Sequence, residues 1–318
     1  MYQEFYGLHS APFDLTPDPA HLLLTPTHRE ALNMLQYGIS VRKCIILLVG
    51  EAGTGKTTLL RKSLSLNRQG AAPVSEIAYL VNPTLSREEF FQQLADAFGL
   101  DPAAGASKAA FLKHLTQMLL VRRNARLNSV LIVDEAQRLP DDLIEELRLL
   151  VNIELDDDKL LTLVLAGHPE LAERLNEHHL RQFKQRIVLR YELTPFNLED
   201  TVAYIIGRMR LAGGDAARVF TREAVKAVYH ASGGIPRTIS VICDNALLTA
   251  FALQRPKVDS EIIDEVCRDL HLQRGGTQDR NAPTNAEPAA DGTDGTADSD
   301  RPGRLRLATR TWWSRSAR

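Results

Sequence analysis

The sequence has little cysteine: only Cys44, Cys243 and Cys267, far apart and in no metal-ligand spacing. That excludes a disulfide framework and a cysteine-bound metal, and fits free thiols in a reducing compartment. Long apolar runs are also missing, since none approaches the ~18 residues that cross a bilayer. Met1-Tyr2-Gln3-Glu4-Phe5 is not a basic region leading into an apolar one, so no secretory leader is predicted. A cytosolic protein is the expectation, with docking on a membrane partner left open. Nor is there an excess of positive charge. Lys and Arg number 38 against 40 Asp and Glu, a formal net charge of −2, so the whole molecule does not advertise nucleic acid or an acidic membrane as its partner. A local basic patch is compatible with that total. No internal repeat is visible.

What is present is an ordinary globular balance: 318 residues, 44% hydrophobic and 25% charged, enough for one large domain or two smaller ones. Short apolar runs bounded by turn signals predict buried strands at 44–49, 77–81, 130–133 and 160–166. Helical patterns lie between them at 29–42, 57–67, 86–98, 107–123 and 140–151. Strands alternating with helices predict an α/β fold, a three-layer αβα sandwich with a parallel sheet. After Tyr191 the strand signals stop, and 198–211, 222–231, 236–253 and 260–272 carry helical periodicity, which predicts a small all-α domain. Residues 275–300 are Gly, Ala, Thr, Asn, Pro and Asp with almost no large apolar side chains, a composition that cannot offset its ordering entropy. They lead into 301–318, with six arginines, no acid and the pair Trp312-Trp313. The predicted division is an N-terminal segment (1–40), an α/β core (41–192), a helical domain (193–274) and a disordered Arg-rich tail (275–318).

Directly after the first strand, Gly50-Glu51-Ala52-Gly53-Thr54-Gly55-Lys56-Thr57 fits G-x-x-x-x-G-K-[ST] and opens a helix that continues through Thr58. Glycines let backbone N–H groups curl around phosphates, and the helix amino terminus adds partial positive charge. Lys56 would neutralise the β and γ phosphates of ATP, and Thr57 offers a hydroxyl to Mg2+. This is the P-loop of an NTPase; the bland alternative is a Gly-rich turn beside a surface lysine. A second element, Val130-Leu131-Ile132-Val133-Asp134-Glu135, is a buried strand ending in two carboxylates, where α/β sheets place ligands. Asp134 would orient a magnesium water and Glu135 would polarise the attacking water. A glutamate aimed at water favours hydrolysis over phosphorylation of a small molecule.

The strand ending at Ala166 leads into Gly167-His168-Pro169-Glu170, which makes His168 a candidate sensor of the γ-phosphate, or else a simple cap. The segment Leu180-Arg181-Gln182-Phe183-Lys184-Gln185-Arg186-Ile187 puts cations at the end of a helix leading into a further strand, 187–191. Either Arg181 or Arg186 would serve as an arginine finger toward a neighbouring subunit, and helix-end cations are the plainer reading. In Ser232-Gly233-Gly234-Ile235-Pro236-Arg237 an arginine occupies the first turn of a helix, where the dipole disfavours it, so Arg237 calls for an anion such as the ATP phosphates across an interdomain cleft.

Taken together these residues resemble an AAA+ ATPase, and more narrowly the general secretion pathway protein A (ExeA-like) group, related to origin-recognition-type and transposition ATPases. The resemblance covers roughly residues 1–272. It also draws on Phe5-Tyr6-Gly7-Leu8, Pro12-Phe13, Thr16-Pro17-Asp18-Pro19, His28-Arg29-Glu30-Ala31-Leu32, Asp134-Glu135-Ala136-Gln137, Glu145-Glu146-Leu147-Arg148, Gly167-His168-Pro169-Glu170-Leu171 and Gly233-Gly234-Ile235-Pro236-Arg237. It implies that the N-terminal segment wraps the base site with 26–29 near the adenine, and that the helical domain is a lid rotating with nucleotide state. The group usually has Gln where this chain has His168. Many relatives continue into a membrane span and a cell-wall-binding domain where this chain has its Arg-rich tail, so a direct peptidoglycan role is not expected.

The leading expectation is an ATP-hydrolysing homo-oligomer that drives an envelope system such as secretion, pilus or exopolysaccharide export through a membrane-protein partner. The alternative is a nucleic-acid-associated ATPase of the transposition or initiation kind, for which the basic excess and an appended DNA-binding helical domain are missing. A non-hydrolysing ATP-binding scaffold is a third reading, opposed by Glu135. ATP rather than GTP follows from the resemblance, as no guanine-reading Asn-Lys-x-Asp element follows the P-loop strands.

Overall fold

The computed structural model describes residues 2–15, 25–68, 75–81, 85–155 and 158–272. Thr16-Pro17-Asp18-Pro19 and the predicted disordered tail with Trp312-Trp313 lie outside the described residues.

Five apolar segments form the strands β1 (Ile45–Gly50), β2 (Ser75–Leu80), β3 (Asn128–Val133), β4 (Leu161–Gly167) and β5 (Ile187–Leu193). All neighbours pair in parallel, in the order β2-β3-β4-β1-β5. Alternate side chains face opposite sides of the sheet. Ile45, Leu47, Val49, Leu131, Val133, Leu163 and Leu165 enter one core, and Ile46, Leu48, Val130, Ile132, Val164 and Ala166 enter the other. Because both faces are covered, the central strands read as unbroken apolar runs rather than alternating ones.

The covering helices are α1 (Pro26–Ser40) and α2 (Lys56–Arg68) on one face, and α3 (Arg87–Phe98), α4 (Lys108–Asn124) and α5 (Asp141–Leu150) on the other. Helix α1 starts three residues before its apolar periodicity predicts. The Thr25 hydroxyl accepts the His28 N–H as a cap, and Pro26 fills the first position, where its missing donor costs nothing. Helix α3 opens with a reciprocal Ser86–Glu89 capping box and closes on Gly99 at φ +67.

Four further helices, α6 (Leu198–Leu211), α7 (Arg222–Ser232), α8 (Pro236–Ala252) and α9 (Ser260–Asp269), surround a separate core that includes Ile205, Met209, Val228, Ile242 and Ile263. The chain is therefore an α/β sandwich with a parallel sheet followed by a small helical domain. The helical core also takes Tyr2, Leu8 and Phe13. Tyr2 donates its hydroxyl to Asp244 at 2.7 Å, and Arg208 donates to the carbonyls of Pro12 and Asp14 at 2.5 and 2.7 Å. Residues 2–15 thus pack with the helical domain while α1 packs on the sheet, so the 1–40 segment is shared between two cores.

Several details differ from the sequence expectation. The segment after β4 is not a plain loop: His168 is the backbone cap of a short helix, Pro169–Arg174, that packs Leu171 and Ala172 into the core. A two-residue antiparallel hairpin joins Glu154–Leu155 to Asp158–Lys159, too short to give a period-2 signal. Strand signals do not stop at Tyr191, since β5 runs on to Leu193 and a parallel bridge joins Phe220 to Val258. Arg181 does not sit at a helix end; it opens the four-residue helix Arg181–Lys184, and Arg186 follows that helix.

Candidate functional site

The carboxyl ends of β1, β3 and β4 converge because the sheet is parallel and these strands are adjacent, β4 between the other two. The loop leaving β1 is held by Thr54, fully buried, whose hydroxyl donates to the Glu51 carbonyl at 2.8 Å. Gly53 and Gly55 sit at φ +82 and +100, values that L side chains rarely adopt. The first-turn N–H groups of α2 have no intrahelical acceptors, so they are available to an anion. Lys56 is 5% exposed, and its ammonium donates to the carbonyls of Gly50 at 2.7 Å and Glu51 at 3.0 Å. Burial pushes its pKa down, while Glu135, Asp134 and Glu51 oppose that shift.

Asp134 is 2% exposed at the end of β3. One of its oxygens accepts the Thr57 hydroxyl at 2.7 Å and the Tyr79 hydroxyl at 2.8 Å, and the other accepts the Glu135 N–H at 3.0 Å. Burial, then the charge of Asp134, raises the Tyr79 pKa. The adjacent hydroxyl and carboxylate are hard oxygen donors, few in number, which suits magnesium held mainly by waters and phosphate. Among the described residues no group of three or more His, Cys, Asp or Glu forms a self-sufficient metal site. Thr57 and Asp134 would hold such an ion.

Glu135 follows at φ 55, in the left-handed region. Its carboxylate accepts the Gln137 side-chain amide at 2.6 Å and lies 3.9 Å from His168 Nε2. Gln137 in turn accepts the His168 backbone N–H at 3.1 Å. Behind this turn, Arg174 donates to the Gln137 carbonyl and Asp141 at 2.9 Å each and also to the Leu139 carbonyl. The Arg174 hydrogen bond is the main cause of a lowered Asp141 pKa.

The helical domain closes the other side of the loop. Arg237, in the first turn of α8, donates its backbone N–H to the Gly53 carbonyl at 3.3 Å, and a Cβ on Gly53 would meet the Arg237 Cβ at 2.8 Å. Phe196 N–H donates to Gly234 O at 2.8 Å, and a Cβ on Gly234, at φ +76, would come 2.0 Å from the Phe196 carbonyl oxygen. Beneath the loop, buried His28 reaches the Thr54 carbonyl with Nε2 at 2.9 Å and the Thr25 hydroxyl with Nδ1 at 2.8 Å. The Thr54 carbonyl can only accept, so Nε2 carries the proton and Nδ1 accepts from Thr25.

The structure therefore brings together Gly50 to Thr58, Asp134, Glu135, His168 and Arg237. It does not bring Arg181 or Arg186 there: Arg181 is exposed, and Arg186 lines a cavity of about 610 Å³ with Cys44, Arg148, Lys159, Gln182, Gln185 and Val188, at the edge where β1 and β5 begin. Neither arginine side chain has a hydrogen bond or ion pair among the described residues. Sequence reasoning missed Tyr79, Gln137 and Arg174 as parts of the site, and had His28 only within 26–29 near the adenine, not against the phosphate loop. Only Gln137 carried a signal, its place two residues after Glu135.

Residues 40–175 match the family model described as an AAA domain. Over 258 residues the chain is 41% identical to general secretion pathway protein A of Aeromonas hydrophila, covering 81% of this chain and 46% of that protein. Residues 40–175 are thus an AAA domain. The chain is also 25% identical over 151 residues to the Mu-like prophage FluMu DNA transposition protein B of Haemophilus influenzae, covering 48% of the chain and 47% of that protein. It spans less than half the length of these curated relatives. Among solved structures it is similar to Cdc6p of Pyrobaculum aerophilum, with a TM-score of 0.63 and 18% identity over 81% of this chain and 70% of that one. RuvB, the Holliday junction branch migration motor of Thermotoga maritima, gives 0.54 and 18% over 79% and 71%. At such identities these two likenesses establish the AAA+ fold alone. No helix among the described residues is long and apolar enough to cross a membrane.

Proposed function

We propose that the chain binds and hydrolyses ATP and works as an oligomeric switch or motor for an envelope system such as secretion, pilus or exopolysaccharide export. The observation that carries the chemistry is the buried Lys56 beside the hydrogen-bonded Thr57–Asp134 pair, with Glu135 next in line. The envelope role rests on the likeness to general secretion pathway protein A.

In this reading Lys56 leaves its two carbonyls and moves onto the β and γ phosphates, while the loop N–H groups hold the phosphate oxygens. Thr57 and Asp134 would hold Mg2+, which supplies charge neutralisation across the β and γ phosphates. Glu135 accepts a proton from the attacking water, His168 contacts the γ-phosphate end, and Arg237 ties the helical lid to the nucleotide. Residues 193–272 act as that lid, and 26–29 border the adenine. Arg181 or Arg186, remote from their own chain's phosphate loop, act in trans on a neighbouring subunit. The protein works in the cytosol, docked on a membrane-protein partner.

The likeness to a DNA transposition protein favours a second reading, a DNA-associated ATPase. Turnover measured against protein concentration, with and without double-stranded DNA, separates them. The first reading expects specific activity to rise with concentration, to fall in Arg181→Ala or Arg186→Ala, and to ignore DNA. Stimulation by DNA favours the second, and activity independent of concentration removes the oligomeric mechanism from both.

A further inference from the structure

We propose that Gln137 is a positioning residue that fixes the Glu135 carboxylate relative to the tip of β4. The proposal rests on the reading of Glu135 as the group that activates water.

The side-chain amide of Gln137 makes two bonds of opposite sense. Its nitrogen donates to Glu135 Oε2 at 2.6 Å, and its oxygen accepts the His168 N–H at 3.1 Å. One side chain thereby links the ends of β3 and β4, neighbouring strands, the second of which lies beside β1, the strand that leads into the phosphate loop. A contact that short to a carboxylate is of the charge-assisted kind, which is stronger and more directional than a neutral bond. With Oε2 committed and the carboxylate plane set, Oε1 is left as the oxygen that meets a water.

The surroundings are built to keep this arrangement. Glu135 has left-handed backbone, a conformation that persists in a non-glycine residue only where neighbours over-determine it. Here they do: Asp134 accepts the Glu135 N–H at 3.0 Å, and the Glu135 carbonyl accepts the Arg138 N–H at 3.0 Å. Arg174 anchors the Gln137 backbone from behind. Gly167 lets Gln137 approach, since a Cβ there would lie 2.9 Å from Gln137 Oε1. Only an amide of this length satisfies both neighbours. Glutamate keeps an acceptor for the His168 N–H but has no donor for Glu135, asparagine is a methylene short, and leucine offers neither group.

That asymmetry separates positioning from mere bracing. The experiment is steady-state ATP turnover by the full chain, with kcat and KM across pH, for wild type, Gln137→Leu and Gln137→Glu, together with the affinity for a non-hydrolysable ATP analogue. In both variants we expect kcat to fall about tenfold to a hundredfold, the loss of one hydrogen bond to a charged group, with analogue affinity within about twofold of wild type. A brace that needs only the side-chain length and the His168 bond would be preserved by Gln137→Glu, so wild-type kcat in that variant overturns the proposal even if Gln137→Leu fails to fold. A wild-type chain that binds the analogue but never hydrolyses ATP removes the role of Glu135 itself, and the positioning role with it.

Discussion

His28 gives a prediction whose sign and size both follow from geometry. Its ring is buried, bonded on both nitrogens in the neutral form, and packed edge-on against Phe196 at 5.3 Å between ring centres. Burial pushes its pKa below the ordinary histidine value, with the Thr54 hydrogen bond and the charge of Asp200 opposing. In the unfolded chain His28 takes up a proton near pH ~6.5, whereas the folded chain resists. As pH falls through that value the unfolded state binds more protons, so folding stability falls with it. The loss is at most about 1.4 kcal/mol between pH 7.5 and 5.5, the linkage limit for one group that ionises only when unfolded. Replacing His28 with Phe keeps a ring against Phe196 and removes the titration. It also strips the Thr54 carbonyl of its side-chain partner, which costs about 1–3 kcal/mol at neutral pH. Urea denaturation followed by far-UV circular dichroism, for both proteins at pH 7.5 and 5.5, should show wild type more stable at pH 7.5 and the gap narrowing toward pH 5.5. A gap that stays constant or widens refutes the assignment of a buried neutral His28.

The remaining predictions concern the phosphate loop and the lid. Lys56→Met should weaken ATP binding by at least about tenfold, the share of one charge-assisted phosphate contact, as fluorescent-nucleotide titration checks. Thr57→Val preserves shape but deletes the bond to Asp134, so the Mg2+ concentration for half-maximal turnover should rise severalfold while analogue binding without metal changes little. Gly234→Ala places a methyl against the Phe196 carbonyl at positive φ. The left-handed conformation costs about 1–2 kcal/mol and loss of the Phe196 N–H bond about 1 kcal/mol, so the urea midpoint should drop clearly, and an unchanged midpoint would show that the lid junction is not packed this tightly.

The fold was legible because its central strands are buried on both faces, so β1, β3 and β4 stand out as apolar runs with their loops at known places. Legibility failed where structure depends on packing between distant segments. Nothing local marks residues 2–15 as partners of α6 and α8, since Tyr2 meets Asp244 and Arg208 meets Pro12 only in the folded chain. The start of α1 was hidden because Thr25 and Pro26 are capping signals without apolar periodicity. Within the site, Lys56, Thr57, Asp134 and Glu135 were readable because phosphate chemistry dictates their spacing. Tyr79 was not, because it reaches the site from an element whose sequence says only strand, and His28 was placed near the adenine by resemblance alone rather than against the phosphate loop. Arg174 falls in a segment that the apolar pattern did not resolve as a helix.

The central claim is that Glu135 activates water for ATP hydrolysis at a site where Lys56 holds the phosphates and Thr57 and Asp134 would hold Mg2+. The most direct test compares ATP binding and ATP turnover in wild type and Glu135→Gln, which keeps size and hydrogen-bonding capacity but removes the carboxylate. The account expects Glu135→Gln to bind ATP at least as tightly as wild type and to hydrolyse it at least about a hundredfold more slowly, the scale of a general base. Turnover in Glu135→Gln at the wild-type rate contradicts it.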